Sequence, residues 1–121
     1  MNLDYISLKK SSTINDAIKI LNISGTQIVL IKSNKNQLIG TVTDGDIRRS
    51  LLKKKNFTSK LLEIMNKKPF VVKEKISSSY ARFLMEKNKI LQIPLIDKNK
   101  KVIKIYFWDK KSSIEKNNFF F

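Results

Sequence analysis

The sequence predicts an α+β fold made of two similar halves, each with a helix, two strands and a helix, packed sheet against sheet. Three observations carry that expectation. The hydrophobic period switches along the chain between helical spacing and short β-branched runs. The same order of features then returns, with "QIVLI" (27–31) answered by "QIPLI" (92–96) and "LIGTVTD" (38–44) by "VIKIYFWD" (102–109). A half of about 60 residues is also too small to bury a core alone, so the two must share one.

Ser12-Thr13 opens the first helix, and Ile14, Ala17, Ile18 and Leu21 follow at helical spacing. "QIVLI" is a continuous apolar run and reads as a buried strand. "SNKNQ" (33–37) is a turn by composition, and "LIGTV" (38–42) is the returning strand of a hairpin. From Asp44 the period is helical again. Ile47, Leu51 and Leu52 share one face of a helix over 44–53, which ends in the lysine run 53–55. In the second half "MNKKPFVV" (65–72) gives a turn and a short strand. "SSSYARFLMEKN" (77–88) gives a helix with Ala81, Leu84 and Met85 inward, and "DKNKK" (97–101) gives the matching turn. A final helix is expected over 109–116. Ala17 to Ala81 is an offset of 64, whereas Gln27 to Gln92 and Asp44 to Asp109 are 65. One residue inserted between helix and strand is expected to reconcile the two. Separate features that keep one spacing mark an internal repeat. The expected boundaries are 1–60 for the first repeat, 61–112 for the second and 113–121 for a segment leading onward.

Composition narrows the chemistry. The chain has 121 residues, no cysteine and no histidine. Disulfides, thiolate and imidazole metal sites and an imidazole base are therefore excluded. No apolar run approaches the roughly 20 residues of a membrane span, and the N-terminus lacks a signal-peptide layout. A cytoplasmic protein is expected. The net charge of +15 points by itself to nucleic acid. Yet only Arg48, Arg49 and Arg82 of the 25 basic residues are arginine, and the lysines scatter along the whole chain. Scattered lysine is usually a solvated surface, and no nucleic-acid module motif accompanies it.

The densest chemistry is "GTVTDGDIRR" (40–49), where a strand becomes a helix. A helix N-terminus has free N–H groups and a partial positive charge, so it suits an anion. Thr43 can cap it and offer a hydroxyl to a phosphate. Gly45 lets a ligand approach the backbone. Asp46 can accept both hydroxyls of a ribose, as an acidic residue does in dinucleotide folds. Arg48 and Arg49 oppose the helix dipole in its first turn, which is easier to understand if a phosphate sits there. The plainer reading makes Thr43 and Asp44 caps, with the arginines solvated or paired to Asp44 and Asp46. No base, nucleophile or metal set accompanies the two carboxylates, so binding without turnover is expected.

Two repeats, each ending in a glycine, two apolar residues, a hydroxyl residue and an aspartate three further on, resemble a tandem pair of CBS domains, also called a Bateman module. The strings "STINDAIKIL", "QIVLI", "LIGTVTDGDIRR", "IMNKKPFVV" and "LQIPLID" carry the resemblance, over about residues 5–110. It implies two β-α-β-β-α repeats packed as a pseudo-twofold pair. It further implies a regulatory module whose inter-repeat cleft binds an adenosine nucleotide (AMP, ADP or ATP), with Mg²⁺ only if bound with the nucleotide. The tail "KNNFFF" (116–121) resembles the lead into the catalytic fold of bacterial sugar-1-phosphate nucleotidyltransferases. That implies an attached C-terminal catalytic domain as a partner. The resemblance implies that Thr43, Asp44, Gly45, Asp46, Arg48 and Arg49 hold ribose and phosphate. Lys67, Lys68, Phe70, Val71, Leu91 and Gln92 of the partner repeat then meet adenine and part of the phosphate. Phe70 and Val71 can equally be core, and Lys68 surface. Where the first repeat has Gly40, Thr43, Asp46 and Arg48, the second is expected to have Ile105, Trp108, Lys111 and Ser113, leaving one good cleft. A homodimer is expected as well, with Leu52 and Ile114 at its contact. Two alternatives stay open: a structural dimerisation module that binds nothing, and a basic nucleic-acid-binding domain.

Overall fold

The computed structural model describes residues 3–108. A short 3₁₀ turn, Asp4–Ile6, leads into β1 (Ser7–Lys9). Then follow α1 (Ile14–Ser24), β2 (Ile28–Lys32), β3 (Leu38–Thr43), α2 (Asp44–Leu52), α3 (Leu61–Ile64), α4 (Ser78–Asn88), β4 (Gln92–Ile96) and β5 (Val102–Phe107). β2 lies between a parallel β1 and an antiparallel β3, and β4 and β5 form a separate antiparallel pair. This is the mixed α+β arrangement that the sequence predicts. The expected helix over 109–116, with Ile114, and the tail segment lie outside the described residues.

Local chemistry explains where the helices begin and end. Thr13 caps α1: its hydroxyl accepts the Asp16 N–H, and the Asp16 carboxylate accepts the Thr13 N–H at 2.9 Å. That reciprocal box satisfies two orphan donors. Gly25, at φ 68°, ends the helix in the left-handed region. Ser77 caps α4 by accepting the Tyr80 N–H, and Lys89 ends it at φ 55°. Lys89 thus does, with a side chain, what Gly25 does without one.

The repeat is more regular than the strings imply. Ile28 faces Thr43 in the first hairpin, and Gln92 faces Phe107 in the second. The register shifts after Ile31 in one and after Leu95 in the other. Ser33 Oγ accepts the N–H groups of Lys35 and Gln37, and Asp97 Oδ1 accepts those of Asn99 and Lys101. All of these pairs are 64 residues apart, so the expected inserted residue is absent. The likeness of "QIVLI" to "QIPLI" is out of step with the hairpins by one residue. Turn chemistry and the buried face set register, not string identity. The counterparts of Gly40, Thr43 and Asp44 are therefore Lys104, Phe107 and Trp108, which corrects the pairing of Gly40 with Ile105 and Thr43 with Trp108.

The strand expected within 65–72 shrinks to two isolated paired residues, Asn66 and Val72. The Val72 N–H donates to Pro94 O at 3.0 Å, and its carbonyl accepts from Ile96 at 2.9 Å. This parallel bridge to Leu95 is the counterpart of Leu8 beside Ile31. The segment before it is tied to the first half. Leu61 donates to Ser12 O and lies in the first half's core, and Thr41 and Asn66 exchange backbone bonds at 3.1 and 2.8 Å. The passage of Met65-Asn66 leaves no room over Gly40. A Cβ there would lie 2.7 Å from Met65 Sδ and 3.0 Å from Asn66 O. Only glycine allows so close an approach.

The core has three layers. α1 and α2 cover one face of the first sheet through Ala17, Leu21 and Ile47 on Val29, Ile31 and Val42. The opposite face brings Ile28 and Leu30 against Ile105, with Val102 and Phe107 beside them, and joins the halves. Ala81 and Met85 of α4 cover Ile93, Leu95 and Tyr106. At the hairpin tips the Leu38 N–H donates to Lys100 O at 2.8 Å, and the Gln37 amide donates to Asn99 O at 3.1 Å.

A cleft between the two repeats

The end of the sheets away from those tips opens into a cleft of about 560 Å³. Its floor is β2 and β3, one wall is the first turn of α2, and the facing wall is the entry to β4. Nine of the twelve residues expected from the sequence line it: Thr43, Asp44, Gly45, Asp46, Arg48 and Arg49 from the first half, and Phe70, Leu91 and Gln92 from the second. Lys67, Lys68 and Val71 do not. Lys68 instead donates its N–H to the Asn66 side chain in a turn. Gln27, Asn66, Pro69 and Lys89 line the cleft without having been expected.

The first wall is a second capping box. The Asp46 N–H donates to Thr43 Oγ1 at 3.3 Å. The Thr43 N–H and hydroxyl donate to Asp46 Oδ2 at 2.9 and 3.1 Å. Arg49 Nη2 reaches back one turn to Asp46 Oδ1 at 2.7 Å. The Asp46 carboxylate therefore works first as a cap and an ion-pair partner. The side chains of Asp44 and Arg48 are exposed and have no hydrogen bond or ion pair among the described residues. Lys89 adds a third cation from the opposite repeat. The plainer reading of the sequence holds for Thr43 and for the pairing of Arg49 with Asp46, but the capping carboxylate is Asp46 rather than Asp44. Among the described residues no group of three or more carboxylate, His or Cys side chains is placed to hold a metal ion.

A second cleft, about 400 Å³, is the 64-residue image of the first. Gly25, Thr26 and Gln27 stand where Lys89, Ile90 and Leu91 stand in the first, and Phe107 and Trp108 stand where Thr43 and Asp44 do. Two aromatic rings replace the hydroxyl and the carboxylate. Arg82 stacks on Trp108 at 4.4 Å. Gln27 lines both clefts, and it is held at φ 64°, a left-handed conformation that side chains seldom adopt.

Residues 1–53 and 61–106 each match the family model of the CBS domain. The inosine-5'-monophosphate dehydrogenase of Methanocaldococcus jannaschii is 27% identical over 105 residues, which is 84% of this chain and 20% of that enzyme. The chain spans between 20% and 28% of the length of the curated relatives it matches. Among solved structures, a CBS domain pair in complex with 5'-methylthioadenosine and S-adenosyl-L-methionine superposes with a TM-score of 0.78 at 22% identity, covering 92% of this chain and 87% of that one. A CBS domain protein from Pyrobaculum aerophilum complexed with AMP superposes at 0.75 and 16% identity, covering 91% and 88%. No helix among the described residues is long and apolar enough to cross a membrane.

Proposed function

Because the chain belongs to the CBS domain family and carries the domain twice, we propose that it is a non-catalytic regulatory module that binds AMP, ADP or ATP in the larger cleft. The observation that carries this reading is the meeting of Arg48, Arg49 and Lys89 with Thr43 and Asp46 in one cleft between two repeats. Similar pairs hold adenosine compounds, AMP in one case and 5'-methylthioadenosine with S-adenosyl-L-methionine in another. The smaller cleft, with Phe107 and Trp108, lacks the polar set and stays a minor site. The repeats take the boundaries 1–60 and 61–112, and the protein works in the cytoplasm.

Phosphate contact is the most direct test. Arg48→Ala is expected to weaken ATP and ADP by roughly tenfold, the scale of a charge-assisted hydrogen bond, and adenosine hardly at all. The emission of Trp108, the sole tryptophan, and calorimetry both follow it. Equal losses for ATP and adenosine would remove Arg48 from the phosphate.

The output of binding is the control of an attached sugar-phosphate nucleotidyltransferase. Its support is the likeness of "GTVTDGDIRR" and "KNNFFF" to that enzyme group, and the small share of its relatives that this chain spans. Nucleotide-dependent sugar-nucleotide synthesis by the longer protein, lost in Arg48→Ala, is the experiment that decides it. Self-association belongs to the same reading. Leu52 is 80% exposed on α2, an apolar side chain set beside the cleft's own helix. Sedimentation is expected to give a dimer at tens of micromolar that Leu52→Glu dissociates. A monomer throughout would remove the dimer.

A further inference from the structure

Resting on that reading of the cleft, we infer that Arg49 selects phosphorylated over unphosphorylated adenosine ligands by competing for Asp46. The geometry sets up the competition. A carboxylate offers about four lone-pair positions. Asp46 Oδ2 already accepts the Thr43 N–H and hydroxyl, and Oδ1 accepts Arg49 Nη2 at 2.7 Å. A ribose diol needs two acceptor positions facing the cleft, so Arg49 must swing away before the sugar can dock. The pair is ready to exchange. Arg49 is 65% exposed at its side chain, while Asp46 is 17% exposed and stays fixed by the cap. The closed guanidinium lies close over Gly45, where a Cβ would stand 3.1 Å from Arg49 Nη1.

Displacement has opposite consequences for two ligand classes. A nucleotide that takes Asp46 with its ribose offers its 5'-phosphate as a new partner for the freed guanidinium, in the same cleft. The bond lost to Asp46 is replaced by one to phosphate. Adenosine or 5'-methylthioadenosine displaces Arg49 and returns nothing. Arg49 therefore penalises a bare nucleoside and rewards a phosphate, beyond the general attraction that Arg48 and Lys89 exert on any anion.

The test is the sign of two changes in one variant. Adenosine, AMP and ATP are titrated against the 121-residue chain and its Arg49→Ala variant, with melting curves to establish that the variant is folded. Arg49→Ala is expected to bind adenosine about two- to fivefold more tightly, the scale of an exposed ion pair. It is expected to bind AMP and ATP roughly tenfold more weakly. Adenosine affinity unchanged or weakened in a folded variant overturns the inference, even if AMP affinity falls, because simple charge attraction explains that alone. Failure of all three ligands to bind the unaltered chain overturns the nucleotide reading itself, and this inference with it.

Discussion

Leu30→Ala is expected to cost about 2–5 kcal/mol, the range for a large-to-small change in a packed core. Leu30 is fully buried in the layer where the halves meet, among Leu3, Ile6, Ile28 and Ile105. Each half has a helix face of its own to cover, and this layer is where the sheet of one half packs on the sheet of the other. A void here removes contacts from both sides at once. Neither half can close it by shifting alone, since β2 is held between β1 and β3. For a domain of total stability about 5–15 kcal/mol, the loss is a large share of the whole. The midpoint of urea unfolding measures it. Ile23→Ala, at an exposed site on α1, is the control and is expected to stay within about 0.5 kcal/mol. A Leu30→Ala loss under about 1 kcal/mol would mean that the halves do not depend on this layer.

Asp46→Ala is expected to show two separate losses. The first is about 1 kcal/mol of stability, because the carboxylate closes the capping box of α2. The second is roughly 1–3 kcal/mol of nucleotide binding, the range for a hydrogen bond to a charged group. Asp16 supplies the control. It closes the same box at the start of α1, yet it does not line the cleft. Asp16→Ala should therefore match the first loss and show none of the second. Thermal melts with and without AMP separate the two. Equal AMP affinity in both variants would reduce Asp46 to a cap.

How far this was legible depended on whether a signal was local. The helices and hairpins follow from periodicity and from turn residues, and the cluster 40–49 announced itself by density. The repeat is one residue out of step with its matching letters, because the hairpin register fixes an offset of 64. Gln27 looks like the first residue of a strand in "QIVLI", yet it precedes β2 and is held left-handed. Lys89 was missed because a lysine ending a helix is ordinary. Its place in the cleft follows only from its being the counterpart of Gly25, 64 residues earlier. Lys67, Lys68 and Val71 lie outside the cleft lining, because the turn around Asn66 and the short bridge at Val72 carry the chain past it within a few residues. The capping role of Asp46 is visible in the spacing of Thr43 and Asp46, which is that of a capping box, but the backward reach of Arg49 is a property of the folded helix.

The tie between the hairpin tips has a mechanical consequence. Leu38 and Gln37 are bonded to Lys100 and Asn99 at one end of the sheets, and the cleft lies at the other. The five residues of β2 separate the two ends by about 17 Å. The halves thus form a lever pinned at the tips. A swing of only about 3° about that pin moves the cleft walls by roughly 1 Å, given that strand length. Such a motion keeps Leu30 near Ile105, since they lie partway along the arm, and spends most of its travel where α2 faces the entry to β4. A ligand that wedges those walls apart is expected to strain α2, the helix that bears the exposed Leu52, more than the tips.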